Sequence, residues 1–141
     1  MLKQEAAAIN RTAERLLPDQ VERAVELLAA CRGQVVLAGV GKSGFIARKI
    51  AATLTSMGTR SVFLHPSDAL HGDLGIVSPE DIVVLLSGSG ETDEMIAMLP
   101  YLKHRAVPLI AIVGNLQSTL ARLADVVLDA SVDKEVLSIR G

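Results

Sequence analysis

Two glycine-rich stretches hold the residues of this sequence best suited to chemistry. They are Gly39-Val40-Gly41-Lys42-Ser43-Gly44 and Ser87-Gly88-Ser89-Gly90-Glu91-Thr92, and each precedes a stretch with helical periodicity. Glycines leave backbone N–H groups free to converge on an anion at a helix N-terminus. Lys42 adds charge, and Ser43, Ser87, Ser89 and Thr92 add hydroxyls. The ligand such a pair of turns would hold is a phosphate group. The plain alternatives are a tight turn with a solvated lysine at the first stretch and an ordinary N-cap by Ser89 or Thr92 at the second.

The first stretch also matches G-x-G-x-x-G at Gly39, Gly41 and Gly44. A dinucleotide site needs an acid at the end of the following strand to hold the ribose. Leu64-His65 stands there, and no acid follows until Asp68. Gly41-Lys42-Ser43 resembles the end of a Walker loop, but that motif needs a glycine where Val36 stands. Anion binding survives both tests; nicotinamide binding and nucleotide hydrolysis do not. His65 and His71 share one loop, and Gly72-Asp73 after His71 would let the backbone approach a ligand closely. Two histidines alone do not make a metal site. Glu91 and Glu94 fall in or just before a first helical turn, where negative charge is favoured in any case. Glu135, beside Lys134, has a weaker structural reason to be there.

The elements that must position these residues follow from periodicity. Residues 3–31 read as helix, broken at Pro18-Asp19, with Asp19 and Glu22 expected as a capping box and a stop near Gly33. Short β-branched runs at 34–38, 61–64, 82–86, 109–113 and 126–128 read as strands. Helical patterns lie between them at 44–57, 93–105 and 118–124, with a short helix expected at Pro66. Strands alternating with helices imply a parallel sheet covered on both faces, which is why the strands are almost wholly apolar. Right-handed crossovers then place every strand-to-helix turn at one edge. Both glycine-rich stretches, both loop histidines, Gly114-Asn115 and Asp133-Lys134-Glu135 all follow strands, so the polar residues converge on that edge.

Composition narrows the choices further. The chain has 141 residues, half of them hydrophobic and 21% charged, which fits one packed domain. A net charge of −2 argues against a broad nucleic-acid footprint. Phe45, Phe63 and Tyr101 are the only aromatics, too few for base stacking. Cys31 is alone, so no intrachain disulfide or cysteine zinc site forms. No apolar run reaches the roughly twenty residues of a membrane span. No secretory signal opens the chain, and a cytoplasmic protein is expected.

The sequence resembles the sugar isomerase (SIS) domain family, and within it the arabinose-5-phosphate isomerases. The matching stretches are Gly39 to Gly44, His65-Pro-Ser-Asp-Ala-Leu-His-Gly-Asp-Leu-Gly75, Ser87 to Thr92 and Lys134-Glu135. The serine-rich loop marks any SIS domain, whereas the His-Pro…His-Gly-Asp-Leu-Gly stretch is selective for the arabinose-5-phosphate branch. The resemblance implies one α/β domain over 1–141, with N-terminal helices over 1–32 and an α/β core over 33–135. It implies a three-layer flavodoxin-like fold, a five-stranded parallel sheet in the order 2-1-3-4-5. It also implies interconversion of ribulose 5-phosphate and arabinose 5-phosphate through an enediol, which feeds synthesis of the eight-carbon acid sugar Kdo of lipopolysaccharide or capsule. No cofactor is implied.

Carried over position by position, the catalytic residues implied are Lys42, His71, Glu94 and Glu135. Glu135 or Glu94 would be the base, Lys42 the charge stabiliser and His71 the group assisting ring opening. The substrate-binding residues implied are Gly41, Ser43, Ser87, Ser89, Glu91 and Thr92. His65 matches a position linked to divalent metal, read here as inhibitory or incidental. Family members continue past Lys-Glu with a further helix and an active-site histidine, and many add two CBS domains. This sequence stops at Gly141, so one sheet face is expected to be under-covered, favouring a homodimer or homotetramer. A weak or truncated module that binds a sugar phosphate is the other reading.

Overall fold

The computed structural model describes Ala6 and residues 17–131. The helix expected before Pro18 and the Lys134-Glu135 pair lie outside the described residues. Helix α1 (Pro18–Ala30) leads into β1 (Val35–Ala38), α2 (Lys42–Ser56) and β2 (Ser61–Phe63). A short helix α3 (Pro66–Leu70) and a 3-10 turn (Asp73–Ile76) precede β3 (Ile82–Ser87). Then come α4 (Asp93–His104), β4 (Leu109–Val113), α5 (Thr119–Leu123) and β5 (Val126–Asp129). The strands form one sheet in the order β2-β1-β3-β4-β5, parallel at every pairing, as expected from the alternating pattern and the family resemblance.

Alternation along each strand divides the core in two. Val36, Ala38, Val83, Leu85, Ala111 and Val113 face α3, α4 and α5, where Met95, Met98, Leu99 and Leu102 of α4 are buried. Val35, Leu37, Ile82, Val84 and Ile110 face the other way, onto Ala24 of α1 and Ala47 and Ala51 of α2. Full burial of each large side chain contributes about 1.5–3 kcal/mol. On the α1/α2 face Ile112 and Leu128 are half-buried and pack against this cluster.

Two expectations at α1 need correction. Asp19 and Glu22 form no capping box: Pro18 occupies the first helical turn, the N-cap is Leu17 with no side-chain bond, and Asp19 lies inside that turn. Proline suits the first helical position because its missing N–H would be unpaired anyway. Gly33 does not stop the helix, which ends at Ala30. Its role is spatial: a Cβ there would lie 2.0 Å from Oδ1 of Asp81.

That carboxylate clamps the start of the two central strands. Asp81 is 4% exposed. Its Oδ1 accepts the Gln34 N–H at 2.9 Å and its Oδ2 accepts the Ser78 N–H at 2.8 Å. Asp125 repeats the device at the start of the β4–β5 pair, accepting the Leu109 N–H at 2.8 Å. At the sheet's outer edge the Gln20 amide oxygen accepts the Val127 N–H at 3.1 Å, joining α1 to β5. Removing the acceptor from a buried donor costs about 1–3 kcal/mol. Asp81→Ala is therefore expected to lower the unfolding free energy by about that amount, and Asp81→Asn, which keeps one oxygen, by less. Urea titration checks this; an unchanged midpoint for the alanine variant would dismiss the clamp.

Candidate active site

β1 and β3 are neighbours, with Ala38 opposite Leu85. The chain leaves β1 to one side, through α2, and leaves β3 to the other, through α4. A crevice opens where the strand order reverses, at the carboxyl ends of the strands. The two glycine-rich turns follow these neighbouring strands on that side.

The first turn is built by three glycines acting in two ways. Gly39 and Gly44 are close-packed, since a Cβ on Gly44 would sit 2.8 Å from the Gly39 carbonyl oxygen. Gly41 has open space around it, but its φ of 61° and ψ of −128° are a glycine conformation. Gly41 is the N-cap of α2 and no side chain caps that end. The leading N–H groups of a 15-residue helix are thus left without a side-chain acceptor, with exposed Lys42 and half-buried Ser43 in the first turn. A helix end in this state attracts anions.

The second turn is held from inside. Ser87 is buried; its hydroxyl accepts the Gly90 N–H at 2.9 Å and pairs with the Thr92 hydroxyl at 2.9 Å. Ser87 and Thr92 therefore brace the loop. Ser89 is exposed and accepts the Glu91 N–H at 3.1 Å. Thr92 is the N-cap of α4 without a side-chain cap bond, so this helix also keeps a free first turn, occupied by Asp93 and half-buried Glu94.

The turn is also fastened from outside. Gly114 N–H donates to the Gly88 carbonyl at 2.9 Å, and Leu120 N–H to the Gly90 carbonyl at 3.2 Å. Gly90, at φ 69°, leaves no room for a Cβ, which would lie 2.0 Å from the Ser118 hydroxyl. Gly114, already placed at this edge by its position after a strand, and Ser118, which the sequence reading did not single out, are positioning residues. The signal available for Ser118 was its place as the α5 N-cap, where it accepts the Ala121 N–H.

The histidines bracket α3. His65 is its N-cap, with Nδ1 accepting the Ser67 N–H at 3.1 Å. A ring that accepts at Nδ1 carries its proton on Nε2 when neutral. Metal binding at Nε2 would move that proton to Nδ1 and cost the cap. Among the described residues no group of three His, Cys, Asp or Glu side chains could hold a metal. His71 is the exposed C-cap of the same helix, followed by Gly72 at φ 126°. Lys42, Glu91, Glu94 and both histidines thus follow strands at one edge, while Glu135 lies outside the described residues. A hollow of about 710 Å³ lies at the opposite edge, under α1 and the end of α4, and contains none of them. No helix among the described residues is long and apolar enough to cross a membrane.

A family model described as SIS domain matches residues 27–140. The arabinose 5-phosphate isomerase KpsF of Escherichia coli O6:H1 is 46% identical over 134 residues, 95% of this chain and 41% of that protein. The arabinose 5-phosphate isomerase KdsD of Shigella flexneri is 54% identical over 112 residues, 79% of this chain and 34% of that protein. A solved structure of an Escherichia coli CFT073 protein in complex with arabinose 5-phosphate superposes with a TM-score of 0.87 at 41% identity. It covers 94% of this chain and 70% of that one. The chain spans well under half the length of these curated relatives.

The two kinds of glycine predict different losses. Gly90→Ala meets both strain and a clash, and is expected to destabilise by at least about 1–3 kcal/mol. Gly41→Ala meets strain but no clash, so it is expected to destabilise by about 1–3 kcal/mol, less than Gly90→Ala, while losing the rise in Tm that inorganic phosphate gives the parent chain. Thermal melts with and without phosphate check both; equal phosphate stabilisation of Gly41→Ala would separate the first turn from anion binding.

Proposed function

Because the chain belongs to the SIS domain family, we propose that it provides the phosphate anchor and reacting side chains of an isomerase for D-ribulose 5-phosphate and D-arabinose 5-phosphate. The observation that carries this reading is the pair of helix N-termini, α2 and α4, that no side chain caps, leaving adjacent strands at the switch point. The names of the relatives and the sugar phosphate held by one of them support this choice of substrate.

The reaction shifts a carbonyl between C1 and C2. One carbon is reduced as its neighbour is oxidised, so hydrogen moves within the sugar and no external electron acceptor takes part. The phosphate end sits across the two turns, bound by backbone N–H groups and the Ser43 and Ser89 hydroxyls, with Glu91 at the rim. Ser87 and Thr92 keep the second turn in shape. His71 hydrogen-bonds the sugar hydroxyls and assists proton transfer to the ring oxygen as the ring opens. A carboxylate then takes the proton from the carbon beside the carbonyl and returns it to the other carbon. We assign this step to Glu135, with Glu94 as the alternative. Lys42 stabilises the enediolate that forms between the two transfers. Cytoplasmic location, assembly into a homodimer or homotetramer, and supply of a precursor for the eight-carbon acid sugar Kdo belong to the same proposal.

The test is turnover of ribulose 5-phosphate by the purified chain with a chelator present. Conversion to arabinose 5-phosphate is expected, with Glu135→Gln and Lys42→Met each lowering kcat by about a hundred-fold or more. Full turnover by Glu135→Gln, with loss in Glu94→Gln, would transfer the base to Glu94. An inactive parent chain whose Tm still rises with substrate would be a sugar-phosphate-binding module, and the isomerase reading would fall for this chain.

A further inference from the structure

Helix α3 has only five residues, from Pro66 to Leu70. A single turn fixes several dihedrals for very few bonds, so it is unstable unless its ends are held. Pro66 brings no N–H, and Ala69 N–H already bonds the His65 carbonyl at 3.0 Å. The Ser67 N–H is taken by the ring of His65, through Nδ1 at 3.1 Å. A side-chain N-cap contributes about 0.5–2 kcal/mol, a large share for one turn.

The ring that makes this cap is itself held in place. The Arg48 guanidinium lies 4.2 Å above the Phe63 ring. Phe63 meets the His65 ring edge-on, with centroids 6.3 Å apart and planes at 76°. A line of contacts thus runs from α2 through β2 to the start of α3. His71 sits at the other end of that one turn, its N–H bonded to the Asp68 carbonyl at 3.1 Å. Whatever fixes the first bond of α3 fixes the place from which His71 leaves it.

We propose that His65 is a positioning residue for His71, acting as the N-cap of α3 through its unprotonated Nδ1. The proposal rests on the function assigned above only for its turnover readout. It predicts that acceptor character matters at position 65 and imidazole chemistry does not. His65→Asn keeps a strong capping acceptor, whereas His65→Phe keeps a ring against Phe63 and offers no acceptor.

His65→Phe is expected to lower kcat by about ten- to a hundred-fold, the cost of a misplaced group, with KM for the phosphate-anchored substrate changed by less than about threefold. His65→Asn is expected to stay within about threefold of the parent in both. In a His71→Gln background, His65→Phe is expected to cost nothing further, because coupled residues are not additive. Two readouts need no turnover: amide exchange across residues 66–71, and the His71 imidazole signals in NMR spectra of the full chain. Both are expected to change in His65→Phe and to stay parental in His65→Asn. Unchanged exchange and signals in His65→Phe would overturn the proposal, as would an Asn variant that behaves like Phe. If the parent chain shows no turnover but these signals respond as expected, the isomerase reading fails and the positioning role stands.

Discussion

The pairing of β1 with β3 is the contact on which the rest of this molecule depends. It brings together two strands separated in sequence by α2, β2 and α3, and it does so with the chain departing to opposite faces. At one end of the pair Asp81 ties the strands through the Gln34 N–H. At the other end the same pairing sets two helix N-termini side by side. The carboxylate and the crevice are thus opposite ends of one pairing, one fixing its start and the other using its finish. A slip of β1 by one residue would turn Val36 to the wrong face and shift the turns out of line as well.

The sheet was legible in the sequence because its signals are local. β-branched runs such as Val35–Ala38 and Ile82–Ser87 are buried on both sides, and such strands are apolar throughout. Gly39, Gly41 and Gly44 were legible for a similar reason: each glycine meets a steric demand of its immediate surroundings. The resemblance of the His65–Gly75 stretch to a known family supplied roles that spacing alone left open. What sequence reading did not find depends on distance. The Gln34–Asp81 bond spans 47 positions and the Gln20–Val127 bond 107, and no local pattern announces either. The capping box expected at Asp19 failed because a proline one residue earlier claimed the first turn.

The serine-rich turn illustrates a second limit. A run rich in hydroxyls suggests that all of them are presented to a ligand. In the folded chain Ser87 and Thr92 bond each other, and Ser87 also holds the Gly90 N–H, so these two hydroxyls keep the loop in shape and leave Ser89 facing outward. His65 shows the same division. Sequence marks it as a candidate metal ligand; the structure gives its Nδ1 a backbone partner. Residue type locates a site, but the partners a side chain already has decide which atoms remain available for chemistry.

The Gln20 amide at the outer edge has a consequence for the molecule among its copies. An open strand offers a template on which another chain can add a strand, and repetition of that step builds fibrils. Among the described residues no strand pairs with the outer side of β5, which is rich in valine and leucine. With its Val127 N–H already occupied by a side chain from α1, an incoming strand would have to evict Gln20 before it could join the ladder. This edge of the sheet therefore carries its own stop, which depends on α1 staying in place.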